Sequence, residues 1–150
     1  MNASDASSLQ RLELLQRLAT QQEDQAARAL ADALARHANA EDRRAELQQY
    51  EQEYAARIPA SAGVVALRHH AGFLAKLRSA VSFQCERVQL LAGEVDRARA
   101  RWVALHREVE KLAQLETGAR HQLRQLDARR QSRESDELAV RGWMRQQTVS

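Results

Sequence analysis

Five histidines, one cysteine and twenty carboxylates are the side chains of this 150-residue chain best equipped for chemistry. Their spacing does not assemble any. His69 and His70 are adjacent, so on a helix they project to different sides, and His37, His106 and His121 lie far apart. A di-iron helical bundle places a histidine three residues after a glutamate, and no histidine here has glutamate at that position. Neither H-E-x-x-H nor the phosphate-cradling G-x-x-x-x-G-K and G-x-G-x-x-G patterns occur. The histidines read as solvated or seam-edge groups. Cys85 has no general base close in sequence and reads as a semi-buried thiol rather than a nucleophile. As the single cysteine it forms no internal disulfide. Glu108 and Glu110 are ordinary helix-surface charges. The expectation is a protein that is not an enzyme, with no metal, no cofactor and no small-molecule substrate.

A different signal stands at Gln48–Gly63, QQYEQEYAARIPASAG. Aromatics are only 4% of the chain, yet Tyr50 and Tyr54 fall four residues apart, just before the single proline. Such spacing sets both rings on one helical stripe. The composition supports helices throughout. Hydrophobic residues make up 44% and charged residues 29%, with five glycines and one proline. Ala, Leu, Gln, Glu and Arg dominate, all strong helix formers. Such a chain fits long helices meeting along narrow seams better than a globular core. The net charge is +3, and Lys76 and Lys111 are the only lysines, so the basic residues are nearly all arginine. Acids and bases interleave as on a solvated helix surface, with no continuous basic stripe and no reading motif, which argues against nucleic acid.

Helix one is expected over about residues 9–58, with Met1–Ser8 frayed and a capping box formed by Ser7 and Gln10. A seven-residue column runs through Leu12, Ala19, Ala26, Ala33, Ala40, Leu47 and Tyr54. Its companion, Leu15, Ala29 and Tyr50, is looser and is interrupted by Gln22, Arg36 and Arg43. Small residues in the middle of the seam let a facing helix approach closely. Pro59 stops the helix, and a turn is expected over 59–63. Helix two, over about 64–141, carries a stronger pattern. One column reads Leu67, Leu74, Val81, Val88, Val95, Trp102, Val109, Glu116, Leu123. The other reads His70, Leu77, Gln84, Leu91, Ala98, Leu105, Leu112, Ala119, Leu126. Gly72, Gly93 and Gly118 are candidate bends. Beyond Leu126 the seam turns to Arg130, Arg133 and Glu137, so a loose tail is expected over 142–150.

A short turn makes neighbouring helices antiparallel. The expected fold is therefore all-α, a single coiled-coil domain built as an antiparallel two-helix hairpin. Folding about the turn sets Tyr54 near Leu67, Tyr50 near Phe73 and Leu12 near Val109. On this count helix one ends first, leaving an apolar overhang at Leu112, Leu115, Leu123 and Leu126 that needs a partner or a second copy. Three aromatics at the turn either staple it as a core or stand partly exposed as a docking patch. The start, MNASDASSLQ, lacks the basic and apolar runs of a signal peptide, and Ile58–Leu67 is too short to span a bilayer. A cytoplasmic location is expected.

The ordered set of segments resembles a known family. LQRLELLQRLATQQEDQAARALADALA comes first, then YEQEYAARI, a turn with Gly63, AGFLAKLRSAV, RARWVALHREVEKLAQL and finally SDELAVR. Together they look like the flagellar FliJ family of the type III export apparatus, over about Leu9 to Arg141. The resemblance implies a hairpin similar to the gamma-subunit stalk of rotary ATPases. It implies a non-enzymatic stalk that inserts into the hexameric export ATPase and promotes assembly of its ring. It further implies contact with the cytoplasmic part of the export gate and with export chaperones, and thus a peripheral place at the inner membrane through partners. Matching gate-contact positions are Leu47, Tyr50, Tyr54, Phe73, Leu77 and Ala80. By analogy with a rotor stalk, the ATPase contact lies opposite the turn, at Arg11, Leu12, Leu15, Arg107, Lys111 and Arg120. Chaperones would use Leu112, Leu115, Leu123 and Leu126. Two other readings share the same physics: the equivalent stalk of a virulence injectisome, and a homodimeric coiled-coil tether.

Overall fold

A computed structural model describes every residue except Met1, Asn2, Pro59, Ala62 and Ser150. Two α-helices make up the fold: α1, Ala3–Ala56, and α2, Val64–Val149. They pack against each other as an all-α hairpin. The chain divides into two compact units. One is Asp24–Ala104, and the other joins Met1–Glu23 to Leu105–Ser150.

The helices differ from expectation at three of their ends. α1 starts at Ala3 rather than near Leu9. The capping box at Ser7 does not form, because Ser7 lies inside the helix and the Ser8 hydroxyl donates back to the Ser4 carbonyl at 3.0 Å. Asp5 instead provides a carboxylate in the first turn, where the helix dipole favours it. At the other end α1 stops at Ala56, two residues short of Ile58. The expected stop at Pro59 lies outside the described residues. α2 does not loosen at Gly142 and continues to Val149. The last stretch is built from Arg, Gln, Glu, Leu, Ala and Met, whose helix propensity is high, so a polar seam need not end the helix. Helical structure also continues through Gly72, Gly93 and Gly118.

Each unit is held by a seam. In the unit Asp24–Ala104 the buried residues are Ala26, Ala33 and Ala40 from α1, with Leu77, Val88, Leu91 and Val95 from α2. Ala40, Val88 and Leu91 form one cluster, in which the small α1 residue leaves room for two larger α2 side chains. In the other unit Ala19 and Leu112 are buried. The alanine column of α1 and both columns of α2 fall where the heptads put them, with Leu67 and Leu126 exposed at the ends.

The second column of α1 does not. Leu15, Ala29 and Tyr50 are exposed. The half-buried column runs instead through Leu9, Gln16, Glu23, Leu30, His37, Arg44 and Glu51. This side of the helix is mostly polar, so hydrophobicity alone does not mark it. α2 supplies partners for Glu23 and Glu51, while Arg44 pairs with Glu41 and Gln48 of its own helix.

Candidate partner-docking surfaces

In the unit Asp24–Ala104 the aromatic residues near the turn form one cluster. The Tyr54 ring stacks on His70, with centroids 4.5 Å apart and planes within 7°. Its other neighbour is Phe73, at 4.8 Å in an edge-on arrangement. Tyr50 adds edge-on contact with Phe73 at 6.5 Å and lies 6.3 Å from Tyr54. These geometries suit the charge distribution of aromatic rings. His70 also faces the Tyr54 carbonyl with Nε2 at 2.8 Å. A carbonyl only accepts, so Nε2 carries the proton and donates. The same carbonyl accepts from the Arg57 backbone N–H at 3.2 Å. α1 has no basic residue of its own in its last turn, and α2 thus supplies the donor that finishes it. Farther from the turn, Arg78 meets Glu51 at 3.2 Å and Arg36 meets Glu94 at 3.5 Å.

The cluster is half staple and half surface. Tyr54 is half-buried and Leu77 is buried, while Tyr50 and Phe73 remain 45% and 41% exposed. Leu47 and Ala80 are half-buried. The expected pairing of Tyr50 with Phe73 is therefore present. Tyr54, however, packs on His70 and Phe73, and Leu67 is exposed. Sequence reasoning set His70 in a seam column but missed its role as a cap. That role depends on where α1 ends.

The other unit is tied differently. His106 Nδ1 donates to Glu23 at 2.8 Å, and its Nε2 faces Glu110 at 3.2 Å. With a carboxylate at each ring nitrogen, the ring is suited to carry both protons. The hydrogen bond to Glu23 raises the His106 pKa above the ordinary 6.5, with Glu110 adding to the effect and partial burial opposing it. Arg120 reaches across to Glu13 at 2.9 Å and along its own helix to Glu116 at 2.7 Å. Antiparallel order is explicit in these pairs: Glu13 meets Arg120, and Glu23 meets His106.

This register corrects two expectations. With Glu13 against Arg120, Leu12 lies about three helical turns beyond Val109. The shift belongs to this unit, since near the turn Tyr50 still meets Phe73 as expected. The overhang consequently begins later. Leu112 is buried, Leu123 is half-buried, and Leu9 shares a crevice with Ala119, Leu123 and Leu126. Leu115 and Leu126 are exposed. The six positions expected at the ATPase end stand at two levels along this unit. Arg11, Leu12 and Leu15 are level with Arg120, whereas Arg107 and Lys111 are level with Glu23. Leu12 is half-buried and the other five are exposed.

Among the described residues, no group of three or more His, Cys, Asp or Glu side chains could hold a metal ion. No helix there is long and apolar enough to cross a membrane. A family model described as flagellar FliJ protein matches residues 8–148, nearly the whole chain. The chain belongs to the flagellar FliJ family. Comparison with curated proteins and with solved structures found no match to this chain. Membership fits the geometry: the helical hairpin agrees with the fold that the resemblance implies, and the family links the chain to flagellar export.

Proposed function

We propose that this FliJ-family chain is a non-enzymatic stalk of the flagellar type III export apparatus. It enters the ring of the export ATPase, promotes assembly of that ring and touches the export gate and export chaperones. The observation that carries the reading is the two-helix antiparallel hairpin in a chain matched to the family from residue 8 to 148. Alanines along α1 keep the helices close, which suits insertion into a narrow hole.

Within this reading the gate-facing surface comprises Tyr50 and Phe73, flanked by Leu47, Tyr54, Leu77 and Ala80. Leu77 is buried and serves to support the exposed rings. The ATPase-facing cations are Arg11, Arg107, Lys111 and Arg120, with Leu12 and Leu15. Arg120 is already engaged by Glu13 and Glu116, so Arg107 and Lys111 are the better test positions. Chaperone contact falls to Leu115 and Leu126, with Leu123 at the edge. Leu112 lies beneath.

Titrating the chain into the flagellar export ATPase of the same organism tests the proposal. Stimulated ring formation and hydrolysis are expected, and reversal of charge at Arg107 and Lys111 should weaken both. A folded, helical sample that neither binds nor stimulates would overturn it.

A further inference from the structure

Within the unit Asp24–Ala104 a crevice of about 140 Å³ opens between the helices, lined by Arg36, Asn39, Ala40, Arg43 and Arg87. No carboxylate lines it among the described residues. Arg36 is satisfied, since its guanidinium meets Asp32 along α1 and Glu94 on α2, both at 3.5 Å. Arg43 and Arg87 have no ion-pair or hydrogen-bond partner among the described residues, although Glu46 lies one helical turn from Arg43. Arg87 has no acid three or four residues away on either side, so its own helix offers it none. Two like charges thus share one crevice without compensation from the chain's own acids, and an arriving carboxylate relieves their repulsion. The side of α2 next to the crevice is apolar. Phe83, Arg87 and Leu90 fall at i, i+4 and i+7, which is one stripe of a helix. Phe83 is 63% exposed and Leu90 65%. Arg87 therefore stands between two uncovered hydrophobic side chains, roughly 10 Å apart along the helix axis.

We propose that this flank receives an acidic amphipathic helix of a partner protein. Charge complementarity selects the occupant, and the apolar stripe selects its form. Arginine guanidinium groups bind carboxylates through paired, charge-assisted hydrogen bonds, and Arg43 and Arg87 offer two such forks at one level. A small anion would satisfy the arginines but leave Phe83 and Leu90 in water. A helix laid along α2 covers both, with apolar residues seven apart on Phe83 and Leu90 and carboxylates between them for Arg87 and Arg43. Nucleic acid fits less well, because it calls for a continuous basic stripe and Leu90 offers no stacking plane. The contact is small, so its affinity is modest and falls as salt screens the charges. The inference does not depend on the stalk reading.

The probe is a fluorescent peptide of about 20 residues, long enough to be helical when bound, with leucines seven apart and glutamates between them on the same face. Titration of the full chain, followed by anisotropy, should show saturable binding that weakens as salt rises. Arg43→Glu and Arg87→Glu should each weaken it roughly tenfold. Phe83→Ala should weaken it severalfold. Arg87→Glu should not lower the melting temperature, because it gives Arg43 a partner, and circular dichroism checks that every variant is helical. The same peptide with glutamine in place of glutamate should not bind. Absence of binding at the highest soluble concentration would overturn the proposal, as would binding that Arg43→Glu and Arg87→Glu leave unchanged. A peptide of the same composition in scrambled order that binds as tightly would reduce the site to charge attraction and overturn it too. So would a single-stranded oligonucleotide that binds more tightly than the peptide through the same arginines.

Discussion

The two compact units use the same pair of helices and the same two forces, in different proportions. In Asp24–Ala104 Ala33, Ala40, Leu77, Val88, Leu91 and Val95 are all buried, the ion pairs Arg78–Glu51 and Arg36–Glu94 lie at the margins, and an aromatic cluster finishes the turn. In the other unit Ala19 and Leu112 are the buried residues, and the cross-helix ties described are Glu13–Arg120 and Glu23–His106. Burial of apolar surface contributes more than part-exposed ion pairs, which give about 0–1 kcal/mol each. The difference teaches that one hairpin can carry a firm segment and a softer one. The softer segment includes the cations assigned to the ATPase, and the firm one includes the aromatic face assigned to the gate.

The strongest way to break this comparison is at Leu91, which is 5% exposed. Leu91→Ala should cost about 3 kcal/mol in thermal or urea unfolding, with Leu112→Ala costing less because its surroundings can relax. Equal losses would show that the two units are held alike. Next comes Tyr54→Ala, expected to cost about 2 kcal/mol through lost contacts with His70 and Phe73. Tyr50→Ala, at a 45% exposed ring, should leave stability nearly unchanged while reducing gate binding. If Tyr50→Ala melts the protein as Tyr54→Ala does, the cluster is a staple alone. The smallest effect is the pH dependence of the softer unit. The folded pKa of His106 is raised, so the stability from its pairs with Glu23 and Glu110 is fully present below pH 6.5 and is lost as pH rises through the folded value. Amide hydrogen exchange, corrected for its intrinsic pH dependence, should show looser protection near Glu23 and His106 at higher pH. His106→Gln should remove that change. No pH response in the parent chain would place the ion pairs outside the unit's stability.

Much of the fold was legible because heptads report burial directly when the buried residue is apolar. The alanine column from Ala19 to Ala40, the Val88–Leu91–Val95 seam and the neighbourhood of Tyr50 and Phe73 needed no coordinates. The companion column of α1 was misplaced onto Leu15, Ala29 and Tyr50. Glu23, Arg44 and Glu51 look like surface residues in a one-dimensional pattern. Glu23 and Glu51 become half-buried because His106 and Arg78, distant in sequence, stand opposite. The aromatic patch was legible as a cluster. Its division into a packed Tyr54 and an exposed Tyr50 was not, because that depends on which side of α1 faces α2.

The sequence by itself determined that this chain is two long helices, that they meet along a seam small on one side and large on the other, and that it resembles the flagellar FliJ family. Local propensity and apolar periodicity are properties of neighbours along the chain, and they suffice for those conclusions. Only the tertiary structure decided the register: where Glu13 meets Arg120, which carbonyl His70 finishes, and how much of α2 is left bare. Register depends on the length of the connection and on charges paired across the seam. Those are relations between residues far apart in the chain, and no window along the sequence contains both partners.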